Sequence, residues 1–303
     1  MDPEPAFRPT SLGRTLGTAA LIVAPLVAVA VTVPLLWGRA VHPRDLVLAA
    51  AFYAVTGHGI TVGYHRMFAH ASFRPNRPLK LALGILGSMA VQGAIIGWVA
   101  NHRRHHTHSD RAGDPHSPQA RRTGRAPRLA GFVHGHAGWL FRADDTDVAR
   151  YAPDLLKDRD VVRLSRWFPA LAVVSLALPF AIGWLLAGTW QGGLTAFVWA
   201  GLVRMALLHH ITWSINSVCH LVGRHPFRTA DHSGNVAALA VVSMGESWHN
   251  LHHAIPSAAR HGVGRHELDS SALLIAAFER AGWATKVRWA SPERIAEARA
   301  EAA

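Results

Sequence analysis

Four stretches of the chain are almost entirely apolar and nearly free of charged residues. They cover residues of about 16–37, 46–64, 168–188 and 194–215. Each has about the 20 residues that a helix needs to cross a hydrocarbon core at 1.5 Å per residue. The pattern therefore predicts four membrane-spanning helices.

The first and a fifth apolar stretch each allow a second interpretation. Residues 28–30 imitate the cleavage site of a signal peptide, but the apolar run continues to Trp37, past a normal signal core, so we expect a span. The fifth stretch, Leu79 to Ala100, is also long enough to span. A span there would put the histidine-rich segments on its two sides on opposite faces of the membrane. We therefore expect a helix at or partly in the interface.

The basic residues are concentrated in two segments. Of the 31 Lys and Arg, 17 lie in residues 64–167 and nine lie beyond residue 215, whereas the two short loops hold almost none. Such segments stay in the cytoplasm. We therefore expect a multi-pass protein of the cell membrane with both termini cytoplasmic. The placement of the basic residues in these segments accounts for the net charge of +12, and no nucleic-acid partner is needed to explain it.

The predicted fold class is an all-α membrane protein with one domain over residues 1–303. Its four transmembrane helices carry a cytoplasmic helical cap, of about residues 65–167 and 216–290, that holds a histidine-rich dimetal site. The metal site is predicted from the histidine content: 21 of the 303 residues are histidine, which is the commonest metal ligand. The single cysteine, Cys219, excludes a metal centre built from cysteines of this chain.

The histidines recur at helical spacing. Residues 102–106 and 249–253 both read HxxHH, so each presents three imidazoles at i, i+3 and i+4 on one helical face. His65 and His70 close the second span and are about 140° apart on an α-helix. They could therefore serve two different metals, or the helix could end between them. His210 is expected to be a packing or interfacial residue.

The last span ends in a stripe of residues spaced by four, three and four: His209, Trp213, Asn216 and His220. In total, nine histidines are the strongest ligand candidates: His65, His70, His102, His105, His106, His220, His249, His252 and His253. One tetrahedral zinc takes four ligands, so nine histidines indicate two metals. Imidazole donors suit iron, copper or zinc rather than magnesium or calcium. A zinc protease is disfavoured because the chain has no HExxH.

The sequence around these histidines is distinctive. Its main blocks are Thr61–Arg66, Gly113–Pro118, Gly135–Trp139, Asn216–His220 and Gly245–His253. From Thr61 onward the chain resembles the integral-membrane acyl desaturases of the stearoyl-CoA desaturase type, and most closely their bacterial members. Two departures limit what carries over. The basic loop from Gln119 to Ala130 prevents contacts to an acyl carrier from being mapped, and differences at Met67, Phe68, Ala69 and Ser247 leave chain-length preference open.

The resemblance implies a di-iron enzyme that uses O2 and two external electrons to form a cis double bond in a fatty acyl chain. In the animal relatives this bond is at carbon nine. All nine matching ligand positions are histidine here, and the resemblance implies that Asn216 reaches one iron through water. The acyl group could be carried by coenzyme A, by a phospholipid or by a carrier protein.

Other residues near the histidines have predicted supporting roles. Three acidic residues could accept the far ring hydrogen of a ligating imidazole: Asp110, Asp114 and Glu246. Alternatively, the two aspartates form a turn. Three tryptophans are candidates to line the acyl channel or to anchor the protein at the interface: Trp98, Trp139 and Trp213.

The electrons are expected from a separate acidic protein, such as a ferredoxin with its NAD(P)H reductase. The chain has no G-x-G-x-x-G fingerprint and no cysteine set for a cluster, and its basic cytoplasmic face would attract such a carrier. Two alternatives stay open. One is a fatty acyl or hydrocarbon hydroxylase on the same dimetal site, and the other is a non-catalytic membrane metal-binding protein.

Overall fold

The computed structural model describes residues 12–36, 41–119, 126–142 and 146–299. Regular structure in these residues is mostly helical, as predicted. Strands β1 (Arg74–Pro75) and β2 (Ala284–Thr285) form a small antiparallel pair. This pair joins the segment just after His70 to the segment after residue 280.

Three helical rods in the described residues are long and apolar enough to cross a membrane. They cover Pro43–Ala69, Arg159–Ala187 and Trp190–His220. They contain the second, third and fourth predicted spans to within one residue. Each rod is longer than its apolar run because the helix continues beyond the apolar residues.

The first predicted span lies in helix α1 (Leu12–Leu36). Its apolar part, Thr15–Val31, is 17 residues long and shorter than the three rods. Trp37 lies outside the described residues. The side chains of Thr18 and Ile22 on α1 help to line the cavity described below, so this helix belongs to the site and not only to the membrane anchor.

The rods that carry histidines are not regular α-helices. The first consists of α2 (Pro43–His58) and a π-helical segment, Gly59–Ala69. The last consists of α9 (Trp190–Ala196), a π-helical segment (Phe197–Val203), α10 (Arg204–Ser217) and a 3₁₀ turn (Val218–His220). Helix α8 (Arg159–Ala187) lies between them in the chain and ends at Gly188, whose φ of 66° only glycine adopts easily.

The fifth apolar stretch is two helices and not one. Helix α3 (Arg77–Ser88) ends before a turn at residues 89–94, and α4 (Ile95–His108) follows it. Val91 has φ 59° and Gly93 has φ 113°, so the α-helix cannot continue through this turn. The expectation of one interfacial helix was therefore wrong. The break reverses the chain and brings the histidines of α4 back to those of the first rod.

Helix α3 lies directly on the π-helical segment of the first rod. A Cβ atom on Gly59 would come within 2.3 Å of the Gly87 nitrogen, so only glycine permits this approach. The contact extends a core of buried apolar side chains that includes Tyr64, Ile95 and Ile275. This packing holds the segment that carries His65 in a fixed place.

The remaining helices form the cap around the histidines. They are α5 (Pro127–His136), α6 (Val148–Tyr151), α7 (Pro153–Lys157), α11 (His249–Ala254), α12 (Ser270–Arg280) and α13 (Pro292–Ala298). Short 3₁₀ turns cover Gly138–Phe141 and Ala237–Leu239.

Candidate dimetal site

All nine predicted histidines come together in two neighbouring clusters. Five form the first cluster: His65, His70, His102, His106 and His252. Four form the second cluster: His105, His220, His249 and His253. In each cluster one ring nitrogen from every histidine lies within 4.8 Å of all the others. The structure thus divides nine imidazoles into two groups, each large enough to hold one metal ion.

Each HxxHH motif is divided between the two clusters. Helix α4 gives positions i and i+4 to the first cluster and His105, at i+3, to the second. Helix α11 does the reverse, because His252, at i+3, is in the first cluster. Each helix therefore lies between the two clusters. The sequence placed three imidazoles on one face but did not show that this face meets two centres.

His65 and His70 lie in the same cluster, with ring centroids 4.9 Å apart. Of the two alternatives for this pair, the structure shows a helix end between them, because the π-helical segment stops at Ala69, just before His70. The His70 amide donates to the His65 carbonyl at 3.1 Å, an i to i+5 hydrogen bond of π-helical geometry. This bond places residue 70 directly above residue 65.

The distances between ring nitrogens fit bound metal ions. In the first cluster the His70 and His102 Nε2 atoms are 2.7 Å apart, and the His65 and His252 Nε2 atoms are 3.0 Å apart. In the second, the His249 Nε2 lies 3.1 Å from that of His220. Two nitrogens bound to one ion at about 2.1 Å and at right angles would be about 3.0 Å apart. The imidazoles are therefore already spaced as neighbouring ligands of one ion.

Carboxylates hold the far side of several rings. The Nδ1 atoms of His105 and His220 each donate to an aspartate at 2.8 Å, Asp114 and Asp110 respectively. The His65 Nδ1 contacts the Glu246 carboxylate. The predicted acidic residues thus orient imidazoles. The two aspartates also form the predicted turn, because Asp114 accepts from the Asp110 amide at 3.0 Å.

A fourth carboxylate, Asp231, was missed by the sequence analysis. It accepts from the His253 Nδ1 at 2.6 Å and also binds both the amide and the hydroxyl of Ser233. Asp231 lies 22 residues before its histidine in an irregular segment, so no periodicity could have linked the two. With Asp110 and Asp114 it gives the second cluster three carboxylate partners.

Four imidazoles of the two clusters are held neutral at pH 7. Burial, followed by the charge of neighbouring imidazoles, lowers the pKa of His102, His106 and His252 well below the usual value. Burial also lowers the pKa of His253, to about 4, against the opposing effect of Asp231. A neutral imidazole keeps the lone pair that binds a metal. The pKa of His105 shifts the other way: burial would lower it, but the nearby carboxylates, Asp114 first among them, raise it.

A buried ionic network lies behind His65. Arg66 is completely buried and donates to Glu246 at 3.1 Å, while its other terminal nitrogen lies 2.9 Å from Asp269. Its guanidinium also lies 3.2 Å from the Nδ1 of His261, whose ring is 4.5 Å from that of His252. His261 had no predicted role, and its position beside the first cluster could not be read from an isolated histidine.

The stripe at the end of the last span serves several purposes. His220 belongs to the second cluster, whereas His209 donates to the Ala90 carbonyl at 2.8 Å and lies away from both clusters. Asn216 lines the cavities beside His102 and His249. His210 packs with the cap, because its Nδ1 is 2.9 Å from the His136 Nε2.

An elongated cavity runs from the cap toward the clusters. Its main part has a volume of about 360 Å³, in the range of small-molecule binding sites. The three predicted tryptophans, Trp98, Trp139 and Trp213, all line it, as does His102. A smaller part of about 50 Å³ continues past Asn216. The two parts share four lining residues: Trp98, His102, Thr212 and Asn216.

Together these features define a helical membrane protein whose two histidine clusters border an elongated cavity. A model of the fatty acid desaturase family matches residues 45–283, and the chain belongs to this family. It is an oxidoreductase of lipid metabolism, as predicted.

Curated relatives match most of the chain. It is 35% identical over 269 residues to the hex-5-enoyl-[acyl-carrier protein] acetylenase of Moorena producens (strain JHB), covering 88% of this chain and 84% of the relative. It is 34% identical over 250 residues to the sn-1 stearoyl-lipid 9-desaturase of Anabaena variabilis, covering 82% and 85%. It is 38% identical over 239 residues to the delta-9 acyl-lipid desaturase 2 of Arabidopsis thaliana, covering 78% and 72%.

Proposed function

We propose that this protein is an O2-dependent desaturase that introduces a cis double bond at carbon nine of a saturated acyl chain. The observation that carries the proposal is that His102, a member of the first cluster, lines the elongated cavity. A chain in this cavity would pass beside the clusters. One O2, two electrons and two protons would be consumed for each double bond, with two waters formed.

The nine histidines would hold two irons, one in each cluster, with Asn216 reaching one iron through water. Two bound irons, with O2 and external electrons, would supply the oxidant that an unactivated methylene requires. The four carboxylates behind the rings would fix the imidazole orientation and increase its basicity. These roles follow from the ring spacing and from the carboxylate contacts described above.

The cavity walls would hold the acyl chain and exclude water. Trp98 stacks on His102 with ring centroids 5.2 Å apart, so one wall of the cavity continues directly into the first cluster. Gln92 donates to Thr212 at 2.9 Å at the junction of the two cavity parts. This hydrogen bond joins opposite walls and would limit how the chain bends there.

The acyl carrier and the electron donor are further parts of the proposal. The relatives act on acyl groups attached to lipid or to carrier protein. We propose acyl-lipid or acyl-CoA here, supplied from the cell membrane, with both termini cytoplasmic. Electrons would come from a ferredoxin and its NAD(P)H reductase, which fits the 17 basic residues between positions 64 and 167.

The test is expression in a host that lacks unsaturated fatty acids and is fed stearic acid. Mass spectrometry should find a monounsaturated product with its double bond at carbon nine. His252→Ala should give no product, because it removes a ligand of the first cluster. His210→Ala is the control: it removes a histidine that lies outside both clusters, and it should keep substantial activity.

Other products would replace the proposal by a specific alternative. A hydroxylated acid would indicate a hydroxylase. An acetylenic acid would indicate the chemistry in the name of the Moorena relative. Purified protein that holds labile zinc, no iron and makes no product would indicate a metal-binding protein.

A further inference from the structure

Arg204 is a buried charge inside a membrane-spanning rod. Arg204 is only 1% exposed. Among the described residues, no carboxylate forms an ion pair with it. Charged side chains at such depth are costly and are kept where they serve a function. Neither cluster uses Arg204, so its role must be found in what its guanidinium contacts.

The guanidinium contacts three other parts of the fold. It donates to the hydroxyl of Ser175 on α8 at 2.9 Å and to the Met89 carbonyl at 3.4 Å. The Ser175 hydroxyl also donates to the Met89 carbonyl. The face of the guanidinium lies 5.9 Å from the Phe52 ring centre. Arg204 therefore joins its own rod to α8, to α2 and to the turn that follows α3.

The turn at residues 89–94 needs these contacts. It breaks the helix among buried residues, where an unpaired carbonyl is costly. Arg204 supplies a donor to residue 89, and His209 supplies one to residue 90. Farther along the same helix, Thr212 accepts from Gln92. Three residues of α10 thus hold the turn at three successive points.

The same turn forms part of the cavity wall. Residues 91–94 all line the main cavity. Helix α10, which holds this wall, includes Asn216, and the 3₁₀ turn that follows it carries His220 of the second cluster. The rod therefore fixes the distance between the wall that touches the acyl chain and the site proposed to oxidise it.

We propose that Arg204 is a positioning residue that sets the register of the acyl chain relative to the two clusters. It acts through the turn at residues 89–94 and does not touch the substrate. This inference rests on the proposed function, because register matters only if an acyl chain lies in the cavity.

The test compares Arg204→Met, which keeps the length of the side chain without its donors, with the wild type. In cells fed stearic acid, the ratio of the main positional isomer to its neighbours should fall about tenfold, as expected for loss of a hydrogen bond to a charged group. Ser175→Ala should shift the ratio in the same direction by less, and Arg204→Lys should partly restore it. Thr56→Val removes a buried hydrogen bond to the Phe52 carbonyl within α2 and should leave the ratio unchanged.

A second measurement does not depend on catalysis. Stearates brominated at defined carbons quench the cavity tryptophans of the purified protein, and the quenching should depend sharply on bromine position in the wild type. That dependence should flatten in Arg204→Met. If Arg204→Met is poorly inserted, Ser175→Ala decides.

The outcomes separate the two proposals. A flattened quenching profile without any unsaturated product would support the register inference and overturn the desaturase proposal. An active wild type with identical isomer ratios and quenching profiles in the Arg204→Met and Ser175→Ala variants would overturn the register inference alone.

Discussion

The substitution Asp231→Asn tests whether the second cluster holds its own metal ion. The Asp231 carboxylate accepts from the His253 Nδ1 at 2.6 Å, and its pKa lies well below its ordinary range even though burial alone would raise it. Asparagine keeps an oxygen that can accept the same hydrogen bond. The substitution therefore removes the negative charge and leaves the ring orientation almost unchanged.

The expected effect is confined to one cluster. Loss of such a partner typically weakens metal binding 10- to 100-fold, or about 1.4–2.7 kcal/mol. The second cluster keeps two other carboxylates, Asp110 and Asp114, so we expect the lower part of this range. The first cluster has its own partner, Glu246, and should be unaffected.

The assay is iron content per chain after equilibration of the purified protein with increasing chelator concentrations. The wild type should release two irons at similar concentrations. Asp231→Asn should release one of them at about tenfold lower chelator. The control is Asp160→Asn, which removes a carboxylate bound to Arg77 and Lys80 at the start of α8, far from both clusters.

Two results would refute this reasoning. Release of both irons from Asp231→Asn at the wild-type chelator concentration would show that the Asp231 charge does not act on a metal. An equal effect of Asp160→Asn would show that the loss reflects general instability rather than the contact with His253.

Three further predictions follow from the site. Alanine at a cluster position should abolish desaturation, and the variants to test are His102→Ala, His106→Ala, His220→Ala and His252→Ala. Membrane insertion, measured by fractionation, should stay normal because it depends on apolar length. A variant with wild-type turnover would remove its histidine from the ligand set. Purified enzyme with NADPH and O2 should make no product until a ferredoxin and its reductase are added, and salt near 1 M should weaken the apparent affinity for ferredoxin; turnover with NADPH alone would contradict an external donor. Iron-free protein should be most stable above pH 6.5 and lose stability as the pH falls to about 4. Burial lowers the pKa of His253 and of His136 to about 4, so in this range the unfolded chain binds protons that the folded chain does not. Thermal unfolding that is independent of pH across this range would contradict this prediction.

The sequence predicted the rods and the nine histidines because both depend on local patterns. Apolar length identifies a span, and the spacing of the HxxHH motifs identifies a helical face that presents imidazoles. The partners Asp110, Asp114 and Glu246 could also be proposed, since each lies within a few residues of a histidine motif.

The division of the histidines could not be predicted, because it depends on tertiary structure. Which cluster receives His105 or His252 is decided by how α4 and α11 lie between the two centres. Asp231 and Arg204 were missed for the same reason, since their partners are distant in the chain. The His65 and His70 geometry was missed because an α-helix was assumed where the chain forms a π-helix.

The π-helical segment at Gly59–Ala69 has an evolutionary consequence. A substitution within it changes one side chain, but deletion of one residue would restore α-helical winding and turn His70 away from His65. Segment length is therefore constrained in addition to the identity of its buried residues. We expect related sequences to contain no insertions or deletions between the positions of His65 and His70.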